Sequence, residues 1–150
     1  MTQSAKHGEE HPGAKKRNAS GSDEAQGRLR EGNVLLQTLT ERSLAGIYVV
    51  QDGKFHTINP NAAAYAGHVP EDLIGKKACS ILHPDDVKSA RENARKMLQG
   101  QRVTPHEFRI ITKTGEIRWI METVTGITHE GRRAILGNSM DITEYKLAEE

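Results

Sequence analysis

Three strand-like runs close the chain, "HEFRIIT", "IRWIMETVTGI" and "RAILGNSM", and only the short turns "KTGE" and "HEGR" separate them. Gly115 and Gly131 mark the reversals, so each run is expected to lie antiparallel to the next. Two more such runs, "GIYVV" and "KFHTI", stand far upstream on either side of "QDG". Asp52-Gly53 is a strong hairpin signal there, because both residues tolerate the positive φ of a tight turn.

The stretch between the two blocks reads as helical. In "NPNAAAYAG", Asn59 is the cap, Pro60 takes the first helical position and Gly67 is the stop. "PEDLIG" is a further short helical element ending at Gly75. The clearest helix is "HPDDVKSARENARKMLQG", with Pro84 at its start, Asp85 and Asp86 against the positive end of the dipole, and Gly100 after its end. Its buried stripe is Val87, Ala90, Ala94, Met97 and Leu98. Two strands, short helices, one longer helix and three strands predict an α+β domain around a five-stranded antiparallel sheet.

At 150 residues the chain is sized for one domain. Residues 1–27 hold only Met and Ala as apolar residues, too little to offset chain entropy, and are predicted to be a disordered tail. The tail contains "HGEEH", His7 to His11, which formally matches a zinc-protease pattern. That chemistry needs a rigid helix, and Gly8 inside the run with Pro12 after it argues against one. Residues 28–42, "RLREGNVLLQTLTER", read as an N-terminal amphipathic helix with Leu29, Leu35, Leu36 and Leu39 on its apolar side. That side needs a surface to bury against, its own domain or the same helix of a second subunit.

Charge excludes some partners. Lys plus Arg number 21 against 20 Asp plus Glu, which gives no electrostatic case for nucleic acid or an anionic membrane. The opening segment lacks the apolar core of a signal peptide, and no apolar run approaches a membrane span. The expected location is cytoplasmic, which the lone Cys79 fits. No nucleophile elbow, P-loop, dinucleotide fingerprint or zinc-spaced Cys pair is present, so no catalytic residue and no metal ligand is assigned and the chain is read as a non-enzyme.

The order β-β-α-α-α-β-β-β, with "INPNAAAYAG", "EDLIGK", "ILHPDDV", "EFRIITKTGEIRWI" and "LGNSMDITEYK" in register, resembles the PAS sensor domain with its C-terminal PAC segment. Arg118-Trp119 on the fourth strand resembles one subgroup of that family. The resemblance implies a PAS domain over residues 43–143 and the start of a signalling helix over 144–150. It also implies that the Asp-Ile-Thr junction, Asp141 to Thr143, relays a signal to an effector domain or partner kinase, such as a histidine kinase of a two-component system, or to a cyclase. Trp119 is grouped with that junction. On residue spacing, Asp141 with Glu144 three positions on has the form of a capping box.

The cofactor is left open. The resemblance disfavours haem, because the long helix, where haem-sensing relatives usually carry the axial His, holds none, and photoactive flavin, because Cys79 lies in "KKACSIL" without the motif of the light-sensing flavin relatives. Two functions are expected to compete. One is a sensor holding a small-molecule ligand in a pocket lined by Ile58, Ala64, Ile74, Ile81, Leu82 and Val87 with inward positions of the last three strands. The other is a ligand-free interaction module that forms a homodimer through Leu36, Leu39 and the sheet.

Overall fold

The computed structural model of the protein describes residues 12–42 and 44–149. Two units result, Met1–Leu39 and Thr40–Glu150. Residues 12–39 of helix α1 (Pro12–Arg42) make up the described part of the first unit. The sequence places disorder up to Gly27 and a helix from Arg28, whereas α1 already starts at Pro12. Poverty in apolar residues bears on packing; the Ala, Lys, Arg, Glu and Gln of this segment are good helix formers whatever they bury. Leu29, Val34 and Leu35 on α1 are 66%, 63% and 59% exposed. The "HGEEH" run and the side chains of Leu36 and Leu39 lie outside the described residues.

The second unit is a single sheet with helices. Strands β1 (Gly46–Gln51) and β2 (Lys54–Ile58) form the expected hairpin, with φ of 55° at Asp52 and 75° at Gly53. Helices α2 (Pro60–Tyr65), α3 (Pro70–Leu73) and α4 (Val87–Leu98) follow, with 3-10 turns at Ala78–Ile81 and Pro84–Asp86. Strands β3 (His106–Ile111), β4 (Ile117–His129) and β5 (Arg132–Asp141) come next, and α5 (Thr143–Glu149) ends the chain. The strands lie in the order β2-β1-β5-β4-β3, and every neighbouring pair is antiparallel. The five-stranded α+β architecture is the one the turn and cap signals predict.

Local chemistry explains the joints. Asn59 is 3% exposed, and its carboxamide oxygen accepts Ala62 N–H at 2.9 Å and Ile47 N–H at 3.0 Å, while its Nδ2 donates to the Ala45 carbonyl at 3.0 Å. One side chain thus caps α2 and fixes it to the start of β1. Asp86 does not cap α4: its carboxylate takes Arg109 N–H at 2.7 Å and the Arg109 guanidinium at 2.6 and 3.0 Å, which ties the start of α4 to β3. The local cap comes from His83, whose Nδ1 accepts Asp85 N–H at 3.1 Å. Phe55, Ile58, Leu73, Phe108, Ile110 and Ile120 are the large members of the core.

Candidate functional site

The helices do not fill the space above the sheet. Helix α4 turns Ala90 and Ala94 toward it, a helical repeat of small side chains that leaves a gap where larger residues would close it. The result is a cavity of about 410 Å³. Its walls are mainly apolar, with Val50, Phe108, Ile110, Ile120, Val124 and Ile135 on the sheet side and Cys79, Ile81 and Leu82 on the side of the 3-10 turn. Arg91 and Arg95 stand at its α4 edge, where Arg95 is engaged by Glu92 and Gln99.

Three polar side chains break the apolar wall. Glu122 on β4 is 5% exposed and His106 on β3 is 1% exposed. The Tyr48 hydroxyl donates to Glu122 Oε1, and His106 Nε2 lies 3.0 Å from Glu122 Oε2. Tyr48 reaches across because its strand partner is Gly137: a Cβ at that position would run into the Tyr48 ring. Burial pushes the Tyr48 hydroxyl well above its ordinary range, and the Glu122 charge adds to that, so Tyr48 stays a donor. The Ser139 hydroxyl, also at the cavity, donates to the Gly46 carbonyl at 3.0 Å. Among the described residues, His106 Nδ1 is buried and has no hydrogen-bond partner.

Of the six residues expected in the pocket, Ile58, Ile81 and Leu82 line it, and Ala64, Ile74 and Val87 do not. Helix α2 buries Ala62 and Ala63, with Ala66 just beyond its end, so Ala64 turns outward. Leu73 takes the buried place at the end of α3 and leaves Ile74 49% exposed. Val87 starts α4 one position short of the face that carries Ala90, Ala94 and Leu98 to the cavity. Cys79 is half-buried against the cavity. Sequence reasoning missed His106, Glu122 and Tyr48, although Glu122 is a carboxylate buried among apolar residues.

A second polar cluster lies where β5 meets α5. Asp141 Oδ1 accepts the Thr143 N–H at 2.9 Å and the Thr143 hydroxyl at 2.6 Å, and Oδ2 accepts from Arg118 Nη1 at 2.8 Å. Thr143 Oγ1 in turn accepts Trp119 N–H at 2.9 Å, and Ile142 N–H donates to the Trp119 carbonyl at 2.9 Å. The helix starts at Thr143, so Asp141 sits one residue too early for the expected capping box with Glu144 and acts through Thr143 instead. Partial burial opposes the Asp141 charge, but the Thr143 and Arg118 hydrogen bonds hold its carboxyl below the usual range. The Trp119 ring lies under Arg109 at 5.6 Å and under Lys146 of α5 at 5.0 Å, and Lys146 also pairs with Glu107.

Far along the same hairpin, His56 Nε2 and His129 Nε2 are 2.8 Å apart, and with Glu130 their ligand atoms all lie within 4.8 Å of one another. Two imidazoles and a carboxylate are a donor set suited to a borderline cation such as zinc, here exposed or half-exposed at the sheet end. Among the described residues, no helix is long and apolar enough to cross a membrane.

Comparison with known proteins places this geometry. A family model described as "PAS fold" matches residues 55–137, more than half of the chain. A curated relative, the methyl sulfide methyltransferase-associated sensor of Methanosarcina acetivorans, is 33% identical over 89 residues, covering 56% of this chain and 9% of that protein. The chain therefore spans under a tenth of the relative it matches. The PAS domain of a Colwellia psychrerythraea protein superposes with a TM-score of 0.66 at 23% identity, covering 74% of this chain and 98% of that one. A sensory box histidine kinase/response regulator from Burkholderia thailandensis gives 0.58 at 21% identity, covering 76% and 88%. By the match over residues 55–137, the chain belongs to the PAS-fold family.

Proposed function

We propose that this chain is a PAS sensory module that takes a small organic molecule into the cavity and passes the change to an effector through the Asp141–Thr143 junction. The observation that carries the reading is the cavity itself, about 410 Å³ of mainly apolar space with a buried polar cluster in its wall. That combination is what small-molecule sites have in common. The sensor name of the curated relative and the histidine kinase among the similar structures agree with it. Strands β4 and β5 carry both ends of the route, since Glu122 pairs with Ser139 at the cavity and Ile120 pairs with Asp141 at the junction. A histidine kinase or a cyclase is the effector class this reading expects. Native mass spectrometry of protein taken from cells tests it: a retained mass is the expected result, and bare protein with a cavity that accepts no small molecule would remove the reading.

A second reading, a ligand-free dimerisation module, draws on α1, where Leu29, Val34 and Leu35 stand exposed on a helix of 31 residues. An apolar stripe of that kind is covered most simply by a second copy of the helix. Replacing Leu36 and Leu39 by Glu is expected to convert a dimer to monomers in sedimentation, and a wild type already monomeric at high concentration would end this reading.

A further inference from the structure

We propose that His56, His129 and Glu130 bind a divalent transition-metal ion of the zinc type, at a site separate from the cavity, whose walls include none of the three. His56 lies on β2 and His129 ends β4, strands that are not neighbours in the order β2-β1-β5-β4-β3. They meet all the same, with Nε2 facing Nε2 at 2.8 Å. Two local devices aim them. Val49 pairs with Thr57 and Val50 with Phe55, so His56 is the extra residue of a β-bulge, a feature that redirects a side chain. The bulge accounts for His56 and Thr57 both being exposed between buried Phe55 and Ile58, where a regular strand would alternate. On the other side the β4–β5 ladder runs out to the His129–Arg132 pair, and Gln51, buried on β1, donates from Nε2 to the His129 carbonyl at 3.0 Å. His129 is therefore held by the sheet. Glu130 follows in the turn with a φ of 51°, and its Oε1 lies 3.7 Å from His129 Nε2.

A hydrogen bond explains only part of this arrangement. Two neutral imidazoles that meet at Nε2 share one proton, so one ring donates, the other accepts, and the carboxylate beside them stays outside that bond. An ion in place of the proton uses a lone pair from each ring together with a Glu130 oxygen, and the three ligand atoms lie within 4.8 Å of one another. Zinc bonds to nitrogen at about 2.0–2.1 Å in tetrahedral geometry, which sets two nitrogens roughly 3.3 Å apart. From 2.8 Å the rings need part by only about half an ångström, an adjustment open to exposed and half-exposed side chains. Two imidazoles with one carboxylate select against magnesium and calcium, which take oxygen ligands. Imidazole suits zinc, copper and nickel, and three protein ligands leave a fourth position to water. Bound there, the ion ties β2, an edge strand of the sheet, to the β4–β5 turn across β1 and β5.

The test uses the full chain, freed of metal with a chelator, and zinc chloride as the probe. The sequence holds a second His-containing run, His7 to His11, so every titration is repeated in a His7→Gln/His11→Gln background. Calorimetry reads stoichiometry and affinity, 15N NMR follows the His56 and His129 ring nitrogens, and thermal unfolding reads stability. In the tail-substituted background one zinc per chain is expected to bind, to move both Nε2 resonances and to raise the unfolding midpoint. His56→Gln or His129→Gln should weaken that binding on the order of tenfold or more and abolish the rise at the same zinc concentration, since even outer-shell partners of a metal commonly matter that much. Glu130→Gln should weaken it as well, and magnesium should not compete. The NMR shifts of the two rings stand even if a variant folds poorly. Zinc affinity unchanged in His56→Gln and His129→Gln, ring resonances that do not move, or binding that disappears with His7 and His11 would each overturn the site and leave the two rings as a hydrogen-bonded pair.

Discussion

Strand β4 carries two polar clusters that differ in one respect. At the junction, Asp141 satisfies both Thr143 and Arg118, and the Thr143 hydroxyl goes on to meet the Trp119 backbone. At the cavity, four residues further along β4, Glu122 satisfies Tyr48 and His106, but His106 Nδ1 is left over. A saturated cluster fixes a direction, because any rearrangement breaks bonds it already has. An unsaturated one gains from an added partner. The two are joined by the β4–β5 ladder, in which Glu122 pairs with Ser139 and Ile120 with Asp141.

The sharpest way to break this contrast is to remove the hub of the unsaturated cluster. Glu122→Ala leaves the Tyr48 hydroxyl and the His106 ring buried without their shared acceptor, and unfolding in urea is expected to show a loss of about 3–5 kcal/mol, the range for breaking a buried pair. A loss below about 1 kcal/mol would mean that water already reaches these groups, since surface pairs contribute no more than that. Gly137→Ala strikes the same cluster sterically, because the new Cβ meets the Tyr48 ring. An overpacking cost of about 1–3 kcal/mol is expected, and it should shrink when Tyr48 is also replaced by Ala. Equal costs in both backgrounds would show that Gly137 is needed for its backbone and not for Tyr48.

Acid distinguishes the carboxylates outside the cavity. Hydrogen bonds from Arg109 hold Asp86 below the ordinary value of 3.8, and Asp141 is also held below it, in spite of its burial, by Thr143 and Arg118. A folded pKa below the unfolded one means that the stabilisation is complete above 3.8 and is lost as the pH falls through the lower, folded value. Thermal unfolding followed from pH 7 downward should therefore show stability falling below about pH 4, and Asp86→Asn should flatten that limb. An unchanged acid limb in Asp86→Asn would assign the loss to other carboxylates.

The parts of this fold written in neighbouring residues could be read from them. Asn59-Pro60 and Asp52-Gly53 announce a cap and a hairpin turn because the physics acts within three or four residues, and both are found as expected. The polar cluster was also written in the sequence, but in phase and not in a motif. Glu122 falls between Ile120 and Val124 at the two-residue strand period, and His106 precedes Phe108 and Ile110 in the same way. A charged residue in step with inward apolar positions is a buried one, and that signal went unused. Ala64 and Val87 are expected at the pocket and lie off it, because the inward face of a helix is set by what it packs against. His56 and His129 are 73 residues apart and meet only through the reach of the β4–β5 hairpin, so no spacing announces them.

The smallest expected stability change falls on the saturated cluster, where the proposed relay would make it bear most on function. Asp141→Ala removes the acceptor for Thr143 N–H and its hydroxyl and leaves Arg118 without its carboxylate. Loss of a helix-terminal acceptor of this kind costs on the order of 1 kcal/mol. That is a small part of a domain's stability, yet it is enough to shift a balanced two-state helix orientation roughly fivefold. Trp119 would still hold α5 through Lys146 and the Ile142 amide, so the helix should persist while its direction loosens. In a protein carrying the natural effector, Asp141→Ala should therefore change output while the sheet melts within a few degrees of the wild type. Effector activity and thermal unfolding measured on the same sample decide it. Unchanged activity alongside a large loss of stability would make the junction a structural clasp, and the proposed relay through it would have to go.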